Sequence, residues 1–128
     1  MNSVLLLLTH CYSIRGDGLD AHEMLQSAWL KENAPGYEGR SKGIGRQNPA
    51  MGVDPEVHQS VTATRREAGL LESENLAKMT AQQNIAKHAE ILEAEMIAQG
   101  MNPKEAAKRV KDMKKEAEGY AESIGCGK

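Results

Sequence analysis

Apolar positions along this chain change spacing as it proceeds, and the changes divide it. Val4-Leu5-Leu6-Leu7-Leu8 is an unbroken apolar run with no basic residue before it, which predicts a short buried strand rather than a membrane span or a signal peptide. After the Asp17-Gly18 turn the spacing becomes helical. Met24, Leu25, Ala28 and Trp29 share one face, and with Asp20 as cap they predict a helix reaching about Glu32, ahead of Pro35-Gly36. From Pro35 to Gly52 large apolar groups are few, while Gly36, Gly39, Gly43, Gly45 and Gly52 punctuate the segment. This predicts an irregular loop or a short hairpin, where backbone can approach a ligand closely.

Three further helix starts follow. Asp54-Pro55 places a capping residue before a first-position proline, and Val57, Val61 and Ala68 give one apolar face for a helix ending near Gly69. Thr80 with Gln83 is a capping box, after which Ile85, Ala89, Leu92 and Met96 form a stripe to Gly100. Asn102-Pro103-Lys104-Glu105 combines cap, proline and acid ahead of Ala106, Val110, Met113, Ala117 and Tyr120. The reading is therefore mainly α: one small domain over 1–128, a glycine-rich loop or short hairpin between helices, and a helical hairpin over 80–124 as scaffold.

Composition adjusts this picture in two ways. With no Phe, one Trp and seven Met, the core must be aliphatic and somewhat plastic. A net charge of -2 excludes wrapping of nucleic acid by bulk charge but leaves room for a local basic patch. Cys11 and Cys126 stand alone near opposite ends without a second ligand at metal spacing, and whether they pair stays open.

The candidate chemistry lies in residues 17–70. Asp20-Ala21-His22-Glu23 brings together groups able to bind metal or move protons, at what the helical reading makes a helix start, where the dipole favours a neutral imidazole. Asn48-Pro49 closes the glycine-rich loop, and His58 follows in the first turn of the next helix. Arg40, Lys42 and Arg46 form a basic patch in the loop suited to a phosphate, and Arg65-Arg66 lie about two turns beyond His58 where they extend it. In this order, a histidine, a loop with Asn and a helical histidine are the parts of a single-metal nuclease site.

These stretches, Ala21-His22-Glu23-Met24-Leu25-Gln26-Ser27-Ala28-Trp29-Leu30, Arg46-Gln47-Asn48-Pro49-Ala50-Met51 and Asp54-Pro55-Glu56-Val57-His58-Gln59-Ser60-Val61, resemble the HNH/endonuclease VII superfamily of nuclease toxin domains in bacterial polymorphic toxins. The resemblance implies an HNH-like ββα-type site and metal-dependent hydrolysis of phosphodiesters, in DNA in preference to RNA. It implies a divalent ion (Mg, Mn or Zn) on His58, with Asp20 as a further ligand, and Asn48 orienting the base or framing the loop. It also implies secretion as the C-terminal part of a larger toxin, action in a target-cell cytoplasm and a cognate immunity protein, with no membrane partner. Many such domains carry two adjacent metal-and-base residues at the first motif, whereas here Ala21 and Glu23 flank His22. Either His22 is the base and another group holds the metal, or His22 is a ligand and Glu23 is the base. The neutral-pH match of an imidazole favours the first.

Two other patterns carry less. His88-Ala89-Glu90 matches the His-x-Glu element of zinc deaminases but lacks the downstream cysteine pair, which leaves His88 as a helix-face residue four before Leu92. Lys104, Lys108, Lys111, Lys114 and Lys115 alternate with acids, as on a solvated helix face. His10, Cys11 and Tyr12 lack partners at a defined spacing. The competing reading is a non-enzymatic helical interaction module whose Met-rich faces bind a partner, and hydrolysis of another substrate such as peptidoglycan or a nucleotide is a weaker one.

Overall fold

A computed structural model of the chain describes residues 20–126, so the Val4–Leu8 run and the His10-Cys11-Tyr12 cluster lie outside the described residues. In chain order the elements are β1 (Asp20–Glu23), α1 (Ser27–Asn33), α2 (Gly43–Arg46), β2 (Ala50–Val53), α3 (Pro55–Glu67), α4 (Ser73–Ala77), α5 (Ala81–Ala98) and α6 (Pro103–Ser123). The architecture is mainly helical with a small two-stranded sheet.

The first expected helix is the main departure. Asp20 to Glu23 form a strand, not a helix start, pairing antiparallel with β2 so that His22 faces Met51 and Glu23 faces Ala50. Helix begins only at Ser27. Asp20 caps nothing there: its carboxylate meets His58, while the residue before α1, Gln26, is extended and makes no side-chain cap. Pairing with a strand 30 positions downstream overrides the local helical spacing because it satisfies the backbone of both segments at once. Residues 35–52 form no hairpin of their own: they are irregular apart from α2 and the start of β2, and the partner of β2 is β1, ahead of the segment.

The later helices follow their start signals. In α3, Pro55 occupies the first turn and Val57 and Val61 are buried, although the Asp54 side chain makes no cap bond. The capping box of α5 is complete, with Gln83 N–H donating to Thr80 Oγ1 (3.0 Å) and Thr80 N–H to Gln83 Oε1 (2.9 Å). Asn102 Oδ1 accepts from the Lys104 and Glu105 amides, whereas the Glu105 carboxylate turns to Arg109 rather than closing a box. The short α4, not anticipated from the sequence, packs on α1, where Asn33 donates to the Leu76 carbonyl and Trp29 Nε1 to that of Met79.

The core runs between α5 and α6, through Ile85, Leu92, Ala106, Val110, Met113 and Ala117, and continues under β1 through Met24, Leu25 and Met51. The lysines of α6 remain on its outer side, Lys108 pairing with Asp112 at 3.4 Å. The glycine-rich loop is pinned where the Tyr120 hydroxyl donates to the Ile44 carbonyl (2.6 Å) and where Gly45 lies against the backbone of Gly39. A β-carbon on Gly45 would overlap the Gly39 carbonyl and crowd the Tyr37 ring. Gly45→Ala should therefore destabilise by about 1–3 kcal/mol, read as a lowered urea midpoint with unchanged slope.

Candidate functional site

A strand sends alternate side chains to opposite faces, so Asp20 and His22 share one face of β1 and Glu23 lies on the other. His58, one turn into α3, faces the first pair. Its Nδ1 is 3.0 Å from Asp20 Oδ2, and its ring centre is 6.0 Å from that of His22, edge to face. The carboxylate fixes the proton on Nδ1 and leaves Nε2 as the basic nitrogen of His58. Both partners are partly exposed, with side-chain accessibilities of 32% for His58 and 44% for Asp20.

His22 is different. It is 2% exposed, and its Nε2 is buried without a hydrogen-bond partner. Behind it lies His88 of α5, fully buried, its ring stacked at 26° with centres 5.7 Å apart. Burial holds the His22 imidazole well below its usual basicity, with smaller contributions from His88, Arg65, His58 and Arg40. The expected helix-dipole effect is thus replaced by desolvation, which disfavours the charged ring more strongly than a dipole does. His88 is lowered to about 3, again by burial first and then by Arg65.

His88 owes its orientation to a buried chain of amides. The Gln26 backbone N–H donates to Asn84 Oδ1 (2.9 Å), Asn84 Nδ2 donates to Gln26 Oε1 (3.1 Å), and Gln26 Nε2 donates to the Leu70 carbonyl (2.8 Å). With backbone groups at both ends, neither amide can be reversed. Gln26 Oε1 must therefore accept from His88 Nε2 at 3.1 Å, so the proton sits on Nε2 and Nδ1 carries a lone pair, buried and without a partner.

The remaining expected residues divide. Glu23 is buried on the opposite face and pairs with Arg40 at 3.1 Å, its carboxyl raised above the usual range by desolvation and lowered in part by that guanidinium. Asn48 is fully buried and donates to the Leu25 carbonyl (2.9 Å), tying the end of the loop to the end of β1; it frames the loop. Arg65, half-buried on α3, acts electrostatically on His22 and His88, and Arg40 acts on His22 and Arg65. Lys42, Arg46 and Arg66 are exposed. The structure thus gathers Asp20, His22, His58 and Arg65, places Arg40 within electrostatic reach, and sets Glu23 and Asn48 apart from them.

Two imidazoles bound to one ion through nitrogens at about 2.1 Å have ring centres no more than about 6.4 Å apart, and both histidine pairs meet that condition. Among the described residues no three His, Cys, Asp or Glu side chains are grouped around one ion position. His88, Gln26 and Asn84 were not singled out from the sequence as site residues. Their signal is a polar pair four apart, Asn84 and His88, within the apolar stripe of α5. No family model, characterised protein or solved structure matches the chain.

The depressed histidines make stability depend on pH. An unfolded histidine takes a proton near pH 6.5, whereas the folded His22 and His88 resist it, so protonation favours unfolding and stability falls as pH drops below 6.5 toward the folded values. Each contributes a slope of about 1.4 kcal/mol per pH unit at most. Urea unfolding in chelator at pH 7, 6 and 5 should show progressive loss, and the slope should flatten in His88→Gln, which keeps a donor toward Gln26.

Proposed function

We propose that this chain is a metal-dependent phosphodiesterase acting on nucleic acid, on DNA in preference to RNA, in the manner of HNH/endonuclease VII toxin domains. The observation that carries the reading is the meeting of Asp20, His22 and His58 at one face of β1, from positions 38 apart in the chain, with Arg65 and Arg40 acting electrostatically on His22. The order supports it as well. A strand bearing His22, a loop ending in Asn48, a second strand and a helix bearing His58 are the parts of a ββα-type site.

The roles in this reading differ from those the residue types alone suggest. A general base must reach water beside the substrate, and His22 at 2% exposure is poorly placed for that. His58 is open to solvent, with Asp20 holding its Nδ1 proton, so Nε2 can take the proton of an attacking water. Asp20 then acts as the group that orients His58 through Nδ1 rather than as a metal ligand. Glu23 leaves the base role because it faces away and is paired with Arg40. His22, kept neutral, offers a nitrogen to a divalent ion, which when bound would stabilise charge developing on the leaving oxygen. Arg65 and Arg40 supply the positive field that draws in a phosphate. Delivery as the C-terminal part of a secreted toxin and inhibition by an immunity protein belong to the same reading.

The test is incubation of the purified chain with plasmid DNA and with RNA, in Mg²⁺, Mn²⁺ or Zn²⁺ and in chelator. Cleavage should require metal, and His58→Ala should lower the rate by about 100-fold or more, with Asp20→Asn reduced less. No cleavage of either nucleic acid with any of the ions, or an undiminished His58→Ala, would overturn the proposal in favour of an interaction module.

A further inference from the structure

We propose that His88 is a ligand of the same site, its Nδ1 and the Nε2 of His22 together holding a divalent transition-metal ion of the zinc, cobalt or nickel class rather than magnesium. This rests on the metal-dependent reading above and names which ion and which second nitrogen.

Two buried ring nitrogens without partners, on neighbouring imidazoles 5.7 Å apart, are the starting observation. A buried polar atom left unsatisfied has lost its water without a replacement partner, so a histidine that only filled the core would sit here at a loss, twice over. An ion between the two nitrogens removes both penalties. For His88 the free nitrogen is the unprotonated one, because the Gln26 carbonyl oxygen holds the proton on Nε2. A ligating histidine ordinarily donates its other N–H to an oxygen that fixes its tautomer and orientation. Gln26, locked by Asn84 and the Leu70 carbonyl, does this for His88.

The ligand chemistry selects the ion. Neutral imidazoles suit zinc, cobalt and nickel, whereas magnesium demands oxygen ligands and gives up water reluctantly. The positive Arg65 nearby opposes a cation, and the two imidazole lone pairs must outweigh that repulsion. His58, its Nδ1 committed to Asp20, stays on the solvent side with Nε2 available for proton transfer.

The test uses the full chain stripped with chelator and returned to metal-free buffer. Calorimetric titration with Zn²⁺, and visible absorption on adding Co²⁺, should show one equivalent bound, with Mg²⁺ giving no heat at the same concentration. His88→Gln retains a donor toward Gln26 and should weaken Zn²⁺ binding by at least about tenfold while the apo protein still melts cooperatively. In the wild-type chain, which does not depend on any variant folding, Zn²⁺ should move the ¹⁵N resonance of His88 Nδ1 and leave its Nε2–H in place. Absence of Zn²⁺ and Co²⁺ binding, His88→Gln binding as tightly as wild type, an unmoved Nδ1 resonance, or Mg²⁺ binding equally well would each overturn the proposal. None of these readouts uses substrate. A chain that binds zinc through His88 but cuts nothing refutes the nuclease reading alone, and one that cuts with Mg²⁺ without binding zinc refutes this one alone.

Discussion

Four hydrogen bonds converge on Gln26, and they join parts of the chain that nothing local would bring together. Its backbone N–H and its side-chain oxygen meet Asn84, its side-chain nitrogen meets the Leu70 carbonyl, and the same oxygen meets His88. The partners lie 44 to 62 positions away, on α5 and on the segment after α3. Because every group is buried, each bond is made in a medium where leaving it unmade would be expensive, which gives a network of this kind its power to specify one arrangement. The end of β1 is thereby set against α5, and only with that placement do His22 and His88 stack.

Polar satisfaction is complete at Gln26 and incomplete close by. Among the described residues, the buried side-chain atoms lacking a partner are His22 Nε2, Glu23 Oε2, Asn48 Oδ1, Arg65 Nε and His88 Nδ1. Two of these belong to β1. Asn48 is tied to its end, and Arg65 and His88 act on His22. Beyond His88, the stretch of α5 and α6 from Leu92 through Met113 to Ala117 shows no such atom among the described residues and packs as an ordinary aliphatic core. Unsatisfied polar groups confined to one end of a molecule mark the place where folding has been traded against something else.

Much of this was legible in the sequence, for reasons that can be named. The starts of α3, α5 and α6 depend on proline and cap residues acting on their own neighbours, so local reading reached them. β1 was not reachable that way. Four residues are too few to display a period of two, and their pairing partner lies beyond two helices; the helical spacing of Met24, Leu25, Ala28 and Trp29 therefore extended too far back. That error had a chemical consequence. On a helix His22 and Glu23 are near neighbours competing for one role, whereas on a strand they face opposite sides and the competition disappears. His88 read as a helix-face residue because the stripe through Ile85, Ala89 and Leu92 accounts for its position without reference to its ring.

The site is ordered along its depth. Asp20 and His58 lie at the surface, His22 beneath them, and His88 at the level of the core. The two ends are controlled by different means. A carboxylate in contact with solvent sets the proton of the outer ring by accepting from its Nδ1, and salt can screen that contact. An enclosed amide chain sets the proton of the inner ring, and desolvation, which salt does not screen, keeps that ring and His22 neutral. Proton transfer and lone-pair donation make opposing demands on an imidazole, since the first needs basicity near neutral pH and the second needs freedom from protons. Stacking the rings from solvent to core places one exposed, carboxylate-held imidazole and two buried, neutral ones within about two ring spacings, on one short strand and two helices.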